Sequence, residues 1–95
     1  MLTSKQRSKL KAIAANLDPV FQVGKGGVNE QQVLQIADYL RVHEIIKIKC
    51  LDNSLYTARE AAEEIASAID AEVVITIGSK AVLYKRNPEK PIIEL

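Results

Sequence analysis

Val20-Phe21-Gln22-Val23-Gly24-Lys25-Gly26-Gly27-Val28-Asn29-Glu30-Gln31-Gln32 runs from the end of a strand, through a turn, into the start of a helix. Val20 to Val23 is the strand candidate. Asn29, with Gln32 three residues on, has the form of a capping box, in which cap and third residue satisfy each other's backbone N–H groups. Between them lie three glycines and one lysine. Glycine lets another backbone come close, and a helix start favours anions, so this loop suits a phosphate.

On the N-terminal side, Thr3-Ser4-Lys5-Gln6 repeats the capping-box form, and Leu10, Ile13, Ala14 and Leu17 follow at helical spacing. Lys5 with Lys9 and Arg7 with Lys11 stand one turn apart and flank this apolar stripe. Asp18-Pro19 closes the helix, since the residue before proline disfavours helical angles. On the C-terminal side, Val33, Ile36, Ala37 and Leu40 extend the second helix to about Val42, where His43 is suited to capping.

Glu44 to Cys50 alternates, with Ile46, Ile48 and Cys50 on one face and Ile45, Lys47 and Lys49 on the other. A turn at Asp52-Asn53-Ser54 and a third capping box, Thr57 with Glu60, lead into a helix through Ala58, Ala62, Ile65 and Ile69. Ala71 to Ile77 and Lys80 to Arg86 read as a hairpin about Gly78-Ser79, and 87–95, with Pro88 and Pro91, as an extended tail.

The order αβαβαββ predicts parallel pairing across the helical crossovers and an antiparallel last strand. The fold class is therefore α/β: a two-layer sandwich on a four-stranded mixed sheet, with the opposite sheet face largely open unless the first helix lies apart from the other two. Ninety-five residues make one domain, 1–95.

One cysteine and one histidine allow neither an internal disulfide nor a zinc site, and the composition reads as cytoplasmic. No stretch is long and apolar enough to span a membrane. The net charge of +1 hides an asymmetry: residues 1–50 carry eight basic and four acidic side chains, net +4, while residues 51–95 carry five and eight, net −3. A basic side could attract a polyanion while an acidic side keeps the molecule soluble. No nucleophile, acid and base fall at catalytic spacing, so the chain is read as a non-enzyme without cofactor, metal or small-molecule substrate.

Gly24-Lys25-Gly26-Gly27 fits the four-residue loop of KH-type RNA clamps, and lacks the spacing of a nucleotide-hydrolysing P-loop or a dinucleotide fingerprint. Such turns are also common as mere geometry, and the basic residues could serve solubility alone. The binding reading requires Lys5, Arg7, Lys9, Lys11, Lys25, Lys47, Lys49, Lys85 and Arg86 to share one side.

Taken together in order, Leu2-Thr3-Ser4-Lys5-Gln6-Arg7, Leu17-Asp18-Pro19-Val20, Val23 to Gly27, His43 to Lys49, Ala62-Glu63-Glu64-Ile65-Ala66 and Ile77-Gly78 through Arg86 resemble the CRM domain, in its stand-alone bacterial YhbY form. The resemblance implies a fold like the C-terminal domain of bacterial translation initiation factor three, with helices on one side of the sheet. It implies binding to structured RNA, in particular to large-subunit ribosomal RNA or a pre-ribosomal particle during ribosome assembly, with the family loop on Gly24, Lys25, Gly26 and Gly27. The expected state is monomeric. The alternative is a protein interaction module that contacts ribosomal proteins through the open sheet face or the Ile92-Ile93-Leu95 tail.

Overall fold

The computed structural model describes residues 2–24, 26–51, 56–93 and 95. Each helix starts at a reciprocal cap. The Gln6 N–H donates to Thr3 Oγ1 at 3.1 Å, the Gln32 N–H to Asn29 Oδ1 at 2.8 Å and the Glu60 N–H to Thr57 Oγ1 at 3.1 Å. These caps open α1 (Ser4–Ala14), α2 (Glu30–His43) and α3 (Ala58–Ile69), between which run β1 (Phe21–Val23), β2 (Ile45–Cys50), β3 (Glu72–Ile77) and β4 (Lys80–Tyr84). The element order is the expected αβαβαββ. The turn expected at Asp52-Asn53-Ser54 lies outside the described residues.

The sheet is mixed and four-stranded, in the order β1-β2-β4-β3. β1 pairs parallel with β2, while β4 pairs antiparallel with both β2 and β3. The last strand thus enters the middle of the sheet. This central position explains the unbroken apolar run Ala81-Val82-Leu83-Tyr84, because a strand covered on both faces need not alternate.

Two cores follow. Ile46, Ile48, Cys50, Ala81 and Leu83 pack under Ile36 and Leu40 of α2 and under the alanine-rich face of α3. On the other face, Leu10 and Ala14 of α1 pack on Ile45, Val74, Val82 and Tyr84. The first helix therefore lies across the sheet from the other two, and the face expected to be open is half covered. Burying Val82 and Tyr84 requires that cover.

The last strand also ends earlier than the sequence suggests, at Tyr84 rather than Arg86. Glu44 is the cause. It ends α2 in the left-handed region, φ 64°, and its side chain is fully buried. The carboxylate accepts the N–H groups of Asn87, Ile92 and Ile93, each at 2.6 Å, which turns the chain out of the ladder. Among the described residues beyond Tyr84 there is no helix or strand, and Ile93 reaches back to the α1 core. Among the described residues no helix is long and apolar enough to cross a membrane.

Candidate functional site

The glycine loop joins β1 to α2, and the fold makes different demands on its members. The Gly27 N–H donates to the Gly24 carbonyl at 2.9 Å, closing a tight turn. Gly27 has φ +71°, and a Cβ there would meet the Tyr56 ring at 2.5 Å, so both backbone and space require glycine. At Gly24 a Cβ would make ordinary contact with Leu51, at 3.6 Å. Gly26 is exposed, its φ is not in the positive range, and an added Cβ would find nothing within 4 Å. Neither the backbone angle nor the packing requires a glycine at 26. Lys25 lies outside the described residues.

The N-terminus of α2 is less available than its sequence suggests. Asn29 and Gln32 already satisfy one N–H each, and Glu30 sits in the first turn, where it offsets the dipole.

Charge divides by face. Every charged residue of α1 is a cation: Lys5, Arg7, Lys9 and Lys11. Lys47 and Lys49 project from β2 on that same side, as their strand partners Val82 and Lys80 do. Across the sheet, the exposed surface of α3 carries Glu60, Glu63 and Glu64 beside Arg59.

Arg7, Lys47 and Lys85, all expected binding residues, are occupied within the fold. Arg7 Nη1 donates to the carbonyls of Val73 and Val74 at 2.7 and 2.6 Å, at the irregularity in β3. Lys47 is half-buried, and its Nζ donates to the carbonyls of Ala14 and Leu17, both at 3.1 Å, capping the end of α1. Lys85 Nζ donates to the Ile69 carbonyl at 2.6 Å, at the end of α3. Lys85 and Arg86 moreover follow Tyr84, which pairs with Ile45 at the first residue of β2, whereas the glycine loop follows the end of β1 beside Cys50. Those two cations and the loop are therefore at opposite ends of the sheet.

Replacing Lys47 with Met keeps the aliphatic stem but deprives the α1 carbonyls of their donor. Lys47→Met should lower stability by about 1–2 kcal/mol, read as a shifted urea midpoint. An unchanged midpoint would contradict the capping role.

What the structure does assemble beside the loop is a row across all four strands. Gln22 pairs with Lys49, Lys49 with Lys80, and Lys80 with Ile77, all on the α1 side of the sheet but beyond the helix. Lys80 was not singled out from the sequence. Its signal was the Gly78-Ser79 hairpin, which returns the chain to the end of β2. Lys49 and Lys80 stand directly opposite one another without a hydrogen bond or ion pair to another described residue, and facing like charges destabilise a ladder.

Tyr84, Tyr39, His43 and Cys50, all outside this row, are engaged in packing. Tyr84 is 4% exposed, within the α1 core, and burial followed by the Glu44 charge raises its hydroxyl pKa. Tyr39 stacks on His43 at 4.1 Å between ring centres and meets the edge of Phe21 at 6.4 Å. Cys50 is buried, with its Sγ 2.9 Å from the Tyr56 carbonyl. Of the surfaces considered for a protein partner, the sheet face is half covered by α1. In the tail, Ile92 and Ile93 are tethered by Glu44, while Ile92 and Leu95 remain exposed.

The CRS1 / YhbY (CRM) domain model matches residues 2–85. The chain is 43% identical over 95 residues to a Bacillus subtilis protein named "Probable RNA-binding protein YqeI", covering 100% of this chain and 99% of that one. It is 34% identical to a Haemophilus influenzae protein named "RNA-binding protein", covering 96% of this chain and 92% of the other. The solution structure of SAV1595 from Staphylococcus aureus superposes with a TM-score of 0.82 at 44% identity, covering 100% of this chain and 99% of the other.

Proposed function

The chain belongs to the CRS1/YhbY (CRM) domain family, and from that premise we propose that it binds RNA without catalysing a reaction, on precursors of the large ribosomal subunit, through the glycine loop and the α1 side of its sheet. The observation that carries this reading is the pairing of a glycine at 26 that packing does not require with Lys49 and Lys80, opposed on the sheet and without a partner among the described residues. The first supplies close approach to a sugar-phosphate chain. The second supplies positive charge that the fold itself does not use. Names of the relatives support RNA as the polyanion, and the target among RNAs comes from the family resemblance.

Binding of this kind positions RNA through its backbone. Lys5, Lys9 and Lys11, exposed on α1, extend the contact, with Lys25 at the loop, so a folded RNA lies along the α1 side while the acids of α3 face away. Arg7, Lys47 and Lys85 act on the fold.

Neutralised phosphates release counterions, so affinity falls steeply with salt. Lys49→Ala with Lys80→Ala should weaken binding to ribosomal RNA about tenfold or more at moderate salt, and reduce the log–log salt slope by about two. An unchanged slope in filter binding would remove both lysines from the interface. The target is tested by crosslinking in cells followed by sequencing of the bound RNA. Enrichment of large-subunit precursor sequences is expected; reads spread evenly over messenger RNA would overturn that assignment.

A further inference from the structure

Beyond the phosphates, and resting on the RNA-binding reading above, we propose that the row Gln22–Lys49–Lys80–Ile77 and the shallow groove beside it form a subsite for one unpaired nucleotide, whose base lies on aliphatic side chains. The groove is about 200 Å³ and is lined by Lys47, Ile75, Ile77, Lys80 and Val82. Ile77 is 67% exposed at the end of an edge strand, where the fold gains nothing from a large apolar side chain. With the half-buried Ile75 it forms a small apolar floor at the margin of α1, closed on its inner side by Val82, which α1 buries. A flat base fits such a floor.

Charge selects the occupant. Lys80 lines the floor with Lys49 directly opposite it, and Glu72, an acid on the same face, pairs with Tyr84 at the opposite end of the sheet. Four strands at about 4.8 Å spacing place Gln22 roughly 14 Å from Ile77. The glycine loop begins two residues after Gln22. A single strand gripped at the loop therefore passes Gln22, whose amide can donate to and accept from a base edge, before crossing the two lysines to Ile77. In a duplex the bases face inward and cannot reach this floor, so the subsite distinguishes unpaired from paired RNA.

The test measures fluorescence anisotropy of the full chain with a short single-stranded RNA of mixed sequence, and with the same RNA annealed to its complement. Ile77→Ser alters an exposed side chain and should weaken single-strand binding about fivefold, leaving duplex binding unchanged. Ile77→Phe should strengthen single-strand binding several-fold, because an aromatic face stacks better. The subsite is overturned if both RNAs bind and neither substitution alters the single strand, or if both RNAs change equally. It is overturned too if polyglutamate of matched charge displaces the single strand as well as unlabelled RNA does, since charge alone would then account for the site. Failure of the wild-type chain to bind either RNA would instead defeat the RNA-binding reading itself.

Discussion

Glu44→Ala should destabilise the domain by about 3–5 kcal/mol, the range for leaving buried partners of a charge unmatched. That is a large share of the roughly 5–15 kcal/mol that holds a domain together. The carboxylate gathers three backbone N–H groups from a segment more than forty residues away in sequence, and the Lys85 N–H donates to the Glu44 carbonyl at 2.9 Å. Without it the chain from Asn87 to Ile93 loses its anchor, and those donors are left without an acceptor. The thermal midpoint should drop by more than 10 °C. Glu44→Gly separates the two roles of this residue. It removes the carboxylate but relieves the left-handed backbone strain, so it should be less destabilising than Ala by about 1 kcal/mol.

The same residue sets an acid limit. Burial by itself would raise the Glu44 carboxyl, but the N–H groups of Asn87, Ile93 and Ile92 and the nearby Arg86 charge outweigh it and hold the pKa below its ordinary value. A carboxyl whose folded pKa is depressed contributes stability above its unfolded pKa of about 4.3 and loses it as pH falls through the folded value. Wild-type stability should therefore fall below about pH 4.5 more steeply than that of Glu44→Gln. Urea midpoints at pH 7 and pH 4 measure this difference. Parallel acid profiles for the two proteins would show that Glu44 is not the titrating group.

Gly26→Asp and Gly27→Ala should separate binding from folding within one loop. Aspartate at 26 meets open space, so the melting temperature should stay within a few degrees while RNA affinity falls by about tenfold or more, some 1.4 kcal/mol for each decade. Its side chain occupies the approach path and adds a charge of the wrong sign. Alanine at 27 requires a left-handed conformation and collides with Tyr56, which should cost about 2 kcal/mol of stability. Equal loss of stability in both variants would mean that Gly26 is held by the fold after all.

These effects show where the sequence was informative. All three helix starts could be read from cap and third-residue pairs, since a capping box is a local structure complete within four residues. The two faces of β2 were legible for the same reason, as alternation assigns Ile46, Ile48 and Cys50 to one core and Lys47 and Lys49 to the other side. The side of the sheet taken by α1 was not, because it depends on which strand becomes central. The run Ala81-Val82-Leu83-Tyr84 carried that information, but a hairpin's second strand reads locally as an edge.

Basic side chains were legible as charges but not in their uses. Arg7 reaches carbonyls 66 and 67 residues away, and Lys47 caps a helix 30 to 33 residues before it. Only tertiary structure reveals such pairings. The hydrogen bonds that hold Lys47 and Lys85, and the register that sets Lys80 opposite Lys49, are encoded by no spacing in the sequence.

Backbone amide shifts recorded by NMR during titration with large-subunit ribosomal RNA fragments test the central claim most directly. RNA held on the α1 side should perturb Gly24, Gly26, Gly27, Lys49, Ile77 and Lys80 together with the exposed face of α1, and leave Glu60 to Glu64 of α3 unmoved. Shifts confined to α3 and the outer face of α2, with the glycine loop silent, would contradict it.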